Sequence, residues 1–104
     1  MQLERFNKVV SDQLQYTEAL LKTKGSEYVK TSDRLAAFKK AGFLQNETPK
    51  QALLGMLAKH LVSISDMCSS DTDEPRERWI EKITDSINYL ILLRALVEED
   101  FENE

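Results

Sequence analysis

An all-α fold, a bundle of about four helices, is what this 104-residue sequence predicts. Three observations carry that expectation. Apolar residues recur at three- and four-residue steps through most of the chain, the spacing of one helical face. Only three glycines and two prolines are present, too few for the many turns of an all-β chain. The breaks in the periodicity fall at good helix boundaries.

The first element is a long amphipathic helix from Gln2 to about Lys24. Leu3, Phe6, Val10, Leu14, Thr17 and Leu21 form its stripe, and Gly25 is the expected stop. A linking stretch follows, with Glu27 and Tyr28 placed to approach a pocket between helices. A shorter helix is expected from about Ser32 to Ala41, capped by Thr31 or Ser32 and closed by Gly42, with Leu35 and Phe38 buried. Thr48-Pro49-Lys50-Gln51 then reads as a capping box with proline in the first helical position. From there Leu53, Leu57, His60, Ile64 and Met67 run in a 4-3-4-3 rhythm to about Met67. The polar stretch from Ser69 to Asp73 is a loop, Thr72 or Asp73 caps the last helix, and Pro75 lies in its first turn. That helix is expected to reach about Glu99. Between Tyr89 and Val97 it is apolar on nearly every face except at Arg94, which calls for neighbours on all sides. Four helices of this length can barely supply them, so a homodimer is expected.

The length suits a single domain, with 1–104 read as one unit. Net charge is −4 and no basic stripe is present, which disfavours direct nucleic-acid binding. The acidic runs at Asp71–Glu74 and Glu98–Glu104 read as solvated ends. A lone cysteine, Cys68, excludes an intrachain disulfide, suits a reducing compartment and reads as a small side chain near a helix end. Its longest uninterrupted apolar run is far shorter than a membrane span, so a soluble cytoplasmic protein is expected.

Two helical segments place polar groups in apolar surroundings. On Gly55–Met67 these are Lys59, His60 and Asp66; on Glu81–Leu93 they are Glu81, Asp85 and Asn88. Burying such groups costs free energy unless they pair, bind a ligand or reach water. Glu81, Asp85 and Asn88 are spaced four and three apart and so share a face. Two carboxylates one turn apart can hold a magnesium ion through oxygen ligands; on a solvated helix the same spacing means nothing. His60 reads as a core residue. Lys59 either pairs with Asp85 or Glu81 across the bundle or meets a phosphate as a point charge. Arg34, at the start of a helix, wants an anionic partner, whether a side chain or a ligand. Trp79 reads as core or interface.

The order Lys24…Glu27-Tyr28, Arg34 to Phe38, Gly55-Met-Leu-Ala-Lys59-His60 to Asp66-Met67, then Asp85-Ser-Ile-Asn88-Tyr89 resembles small phage and bacterial proteins of the nucleotide-modification-associated type. Those proteins are similar in turn to the all-α nucleoside triphosphate pyrophosphatases related to MazG and dimeric dUTPase. The resemblance implies a dimeric helical bundle in phage nucleotide metabolism, in the host cytoplasm. It also implies magnesium held by acidic residues of neighbouring helices. Carried onto this chain, Asp85 and Glu81 are the catalytic and metal positions and Glu27 is a further metal ligand. Tyr28, Arg34, Lys59 and Asn88 are the substrate-binding ones. The chain departs from the pattern at two places. Lys82 stands where the second acidic motif has its first carboxylate, and neither Glu18 nor Glu27 has an acidic residue three positions away to form the first pair. The alternative is a non-catalytic phage accessory protein that binds and inhibits or modulates a host protein.

Overall fold

A computed structural model describes residues 1–27, 33–71 and 73–104, with 23–27 described by their backbone alone. It contains four helices: α1 (Leu3–Glu27), α2 (Ala36–Gln45), α3 (Pro49–Ser69) and α4 (Arg76–Glu102), and no strand among the described residues. The all-α expectation holds. The chain divides into two units, Met1–Ser32 and Asp33–Glu104.

The first unit is α1. Its charged residues stabilise it locally: Lys8 pairs with Asp12 at 2.8 Å and Lys22 with Glu18 at 2.6 Å, both one turn apart. Gly25 does not end the helix, which continues two residues past it to Glu27. A single glycine inside a helix costs about 1 kcal/mol relative to alanine, too little to stop one that its neighbours favour.

In the second unit, α2 begins later than expected. Asp33 turns the chain before it, its carboxylate accepting the Leu35 N–H at 2.9 Å, in the manner of an Asx turn. Thr31 and Ser32, the expected caps, lie outside the described residues. Gly42 lies within α2, which ends on Asn46 in the left-handed conformation, φ 57° and ψ 46°. The reason for glycine at 42 is space. A Cβ there would stand 2.8 Å from the Glu47 carbonyl oxygen, so α2 turns into α3 over a bare backbone.

The capping box of α3 is present as read. Thr48 Oγ1 accepts the Gln51 N–H at 3.1 Å, and Gln51 Oε1 accepts the Thr48 N–H at 2.9 Å. For α4 the expectation needs correcting. Pro75 is the cap residue itself and Asp73 makes no capping bond; Thr72 lies outside the described residues. Proline suits this place because it has no N–H to leave unpaired.

α3 and α4 form an antiparallel hairpin: Lys50 pairs with Asp100 at one end, and His60 faces Asp85 further along. α2 packs on α3. Leu35, Phe38, Leu53 and Leu96 make the core, with Met56, Tyr89, Leu92, Leu93 and Ala95 packed round it. Each large apolar side chain so buried contributes about 1.5–3 kcal/mol. Lys39 ties α2 to the end of α4, donating to Asp33 at 2.6 Å and pairing with Glu99 at 2.7 Å. On α4 the expectation of neighbours on all sides is met only in part, because Leu90 and Ile91 are exposed. No helix is long and apolar enough to cross a membrane, among the described residues.

Candidate functional site

Midway along the α3–α4 hairpin the packing changes character. From Leu53 and Leu96 towards the α3–α4 loop, the inward positions carry His60 on α3 and Thr84, Asp85, Asn88 and Tyr89 on α4, with Met67 buried beyond them. The inward rhythm of α3 carries His60 to the inner side with Leu53, Leu57 and Met67. On α4, Asp85, Asn88 and Tyr89 follow the three- and four-residue steps that also carry Leu92 and Leu96 inward.

His60 Nδ1 stands 3.9 Å from Asp85 Oδ2, beyond direct hydrogen-bonding range and close enough for one bridging polar atom to serve both. The Tyr89 ring lies over the imidazole, centroids 5.1 Å apart and planes at 39°. Its other contact is an edge-on approach to Phe38 at 6.4 Å. Tyr89 thus joins the apolar core to the polar cluster. Thr84 is fully buried. Ser86, also buried, satisfies its hydroxyl by donating to the Lys82 carbonyl one turn back, at 3.0 Å.

Asn88 is the exception. It is 6% exposed, and neither its amide nitrogen nor its amide oxygen has a hydrogen-bond partner among the described residues. His60 Nδ1 is buried in the same condition. Leaving a buried donor or acceptor unpaired costs roughly 1–3 kcal/mol, so three such atoms within one hairpin are a substantial burden against a domain stability of about 5–15 kcal/mol.

The residues singled out in the sequence separate into three groups. Asp85 and Asn88 are brought together on the inner side of α4, as their spacing implied. Glu81, one turn before Asp85, is exposed, and so is Lys59. Lys59 pairs with neither Asp85 nor Glu81 among the described residues; the group facing Asp85 from α3 is His60, one residue on. His60 lies inward against Tyr89, where the apolar rhythm of α3 places it. Asp66 is exposed, Trp79 is half-buried, and Arg34 is half-buried in the turn before α2. Cys68 is exposed near the end of α3. Tyr28 lies outside the described residues, and Glu27 is described only as the last residue of α1.

No group of three or more His, Cys, Asp or Glu side chains is placed to hold a metal ion among the described residues. The oxygen donors of α4 are Glu81, Asp85 and the Asn88 amide.

The sequence matches no family model, and comparisons with curated proteins and with solved structures give no match. The functional reading therefore rests on the residues themselves.

Proposed function

We propose that this is a nucleotide-directed protein of the MazG-like kind, with its ligand site at the polar half of the α3–α4 hairpin. The observation that carries the reading is Asn88, whose buried amide has a donor and an acceptor to offer, beside Asp85 and the unpaired His60 Nδ1. A polar ligand recruits such groups at little further desolvation cost, because the fold has already removed them from water.

In this reading Asp85 and Glu81 hold magnesium. Bound there, magnesium would neutralise phosphate oxygens and favour attack of water on a phosphoanhydride. Asn88 orients the ligand or a water. Lys59 and Arg34 contact phosphate as cations.

Thermal denaturation with each common nucleoside triphosphate plus magnesium tests this. A ligand of the folded state raises Tm, and increasingly so as its concentration exceeds Kd; Asp85→Asn abolishes the rise, and pyrophosphate release shows whether catalysis accompanies binding. No rise in Tm and no pyrophosphate with any nucleotide would overturn the reading.

A second reading, an accessory protein that binds a host protein, is favoured by Phe43 and Leu44. They lie side by side at the end of α2, 85% and 72% exposed, where adjacent large apolar side chains suit a protein contact. It predicts a host partner whose binding survives Asp85→Ala and is lost in the Phe43→Ser, Leu44→Ser double variant.

A further inference from the structure

We infer that the buried part of the polar half reads the base of a nucleotide, through the Asn88 amide, and leaves the phosphates at the exposed edge. The inference rests on the nucleotide reading and adds to it which end of the ligand enters.

The buried side-chain atoms left without a partner, among the described residues, are an amide nitrogen, an amide oxygen and an imidazole nitrogen. No carboxylate, ammonium or guanidinium group is among them. A phosphate drawn to this place would give up its hydration with no buried cation to offset the loss. Its oxygens only accept, so they would also be set against the Asn88 amide oxygen, which only accepts as well. A base edge answers both halves of the amide, because it carries a donor and an acceptor side by side. Asparagine pairs with such an edge through two hydrogen bonds at once. The next residue, Tyr89, lies over the His60 ring at 5.1 Å between centroids, which adds ring surface of the kind a flat heterocycle packs against.

Exposure falls along α4 in step with charge. Glu81 is exposed, the Asp85 side chain is 15% exposed and Asn88 is 6% exposed. Lys59, the phosphate contact offered by α3, is exposed too. A nucleotide has the same gradient, from a charged polyphosphate that favours water to an uncharged base. Seven residues separate Glu81 from Asn88, about 10 Å of helix at 1.5 Å each, room for the two ends to be met by different side chains. The four bases order their donors and acceptors differently, so a base that fits poorly leaves a buried polar atom unpaired. Sites built on that principle discriminate strongly.

Isothermal titration calorimetry of the full chain, with magnesium throughout, compares the four deoxynucleoside triphosphates with inorganic tripolyphosphate. The preferred nucleotide should bind about tenfold or more tighter than both tripolyphosphate and the weakest nucleotide. Asn88→Ala should bring all five ligands to within about threefold of one another, because the amide that tells them apart is gone. Should Asn88→Ala fail to fold, the comparison of ligands on the unaltered chain decides alone. Equal binding of tripolyphosphate and every nucleotide would overturn the inference and leave the nucleotide reading standing, with the phosphates as the part held. A preference that survives Asn88→Ala would also overturn it, since the base is then read elsewhere. If none of the five binds, the nucleotide reading itself falls and takes this inference with it.

Discussion

The two halves of the α3–α4 hairpin are built from the same helices and obey different rules. In the half with α2, Leu53 and Leu96 close against Leu35 and Phe38, and every buried side chain there is apolar. In the other half, His60, Thr84, Asp85 and Asn88 occupy equivalent inward positions, and three of their polar atoms are buried without a hydrogen-bond partner among the described residues. The apolar half gains free energy from burial; the polar half spends part of that gain. A hairpin optimised only for stability would be apolar throughout, because apolar side chains of similar shape would avoid the desolvation penalty. The difference teaches that the polar half is kept for something besides stability, a trade expected of functional sites.

The comparison can be broken most forcefully at Leu53. Leu53 is completely buried, so Leu53→Ala should destabilise by about 2–5 kcal/mol in urea denaturation. Asn88→Leu should do the opposite. Removing the unpaired amide should stabilise the isolated protein by about 1–3 kcal/mol while abolishing any rise in Tm with nucleotide and magnesium. A destabilised Asn88→Leu would mean the amide is satisfied in the folded protein, and the two halves would differ less than stated. Thr48→Ala, at the start of α3 and away from the polar half, should cost about 1 kcal/mol through the lost cap and leave ligand response unchanged.

The smallest effect is expected at Lys39. Its ammonium group, with the Leu35 N–H second, holds the Asp33 carboxyl below the usual aspartate value; Asp33 and then Glu99 hold Lys39 above the usual lysine value. A lowered carboxyl contributes stability above its unfolded pKa and loses it as pH falls through the lowered one. The raised lysine contributes below its own unfolded pKa and loses that as pH rises through the raised one. Lys39→Met should therefore flatten both the acid and the alkaline limbs of a Tm-against-pH curve. Both groups are about two-fifths exposed, so solvent screening keeps the change small.

Much of the apolar half was legible in the sequence. The 4-3-4-3 rhythm from Leu53 to Met67, the Thr48 capping box and the burial of Leu35 and Phe38 all follow from local spacing and local hydrogen bonding. Helix ends were less legible where glycine or proline has two uses. Gly25 and Gly42 read as stops, yet one is tolerated inside α1 and the other makes room for the Glu47 carbonyl. Asp85 and Asn88 could be found from their spacing. That His60, and not Lys59, meets Asp85 depends on the 100° between successive residues of α3 and on the register of the hairpin, a tertiary property that no local pattern contains.

The central claim concerns the Asn88 amide, and its side-chain NH2 signals can be followed directly in a nitrogen-15 NMR titration with magnesium and each of the four deoxynucleoside triphosphates. Here the expectation is that one of them shifts these signals in a saturable manner, together with the His60 ring signals, and that Asp85→Asn removes the response. If the Asn88 and His60 signals stay fixed through the whole titration with every nucleotide, the polar half is not the ligand site and the account fails.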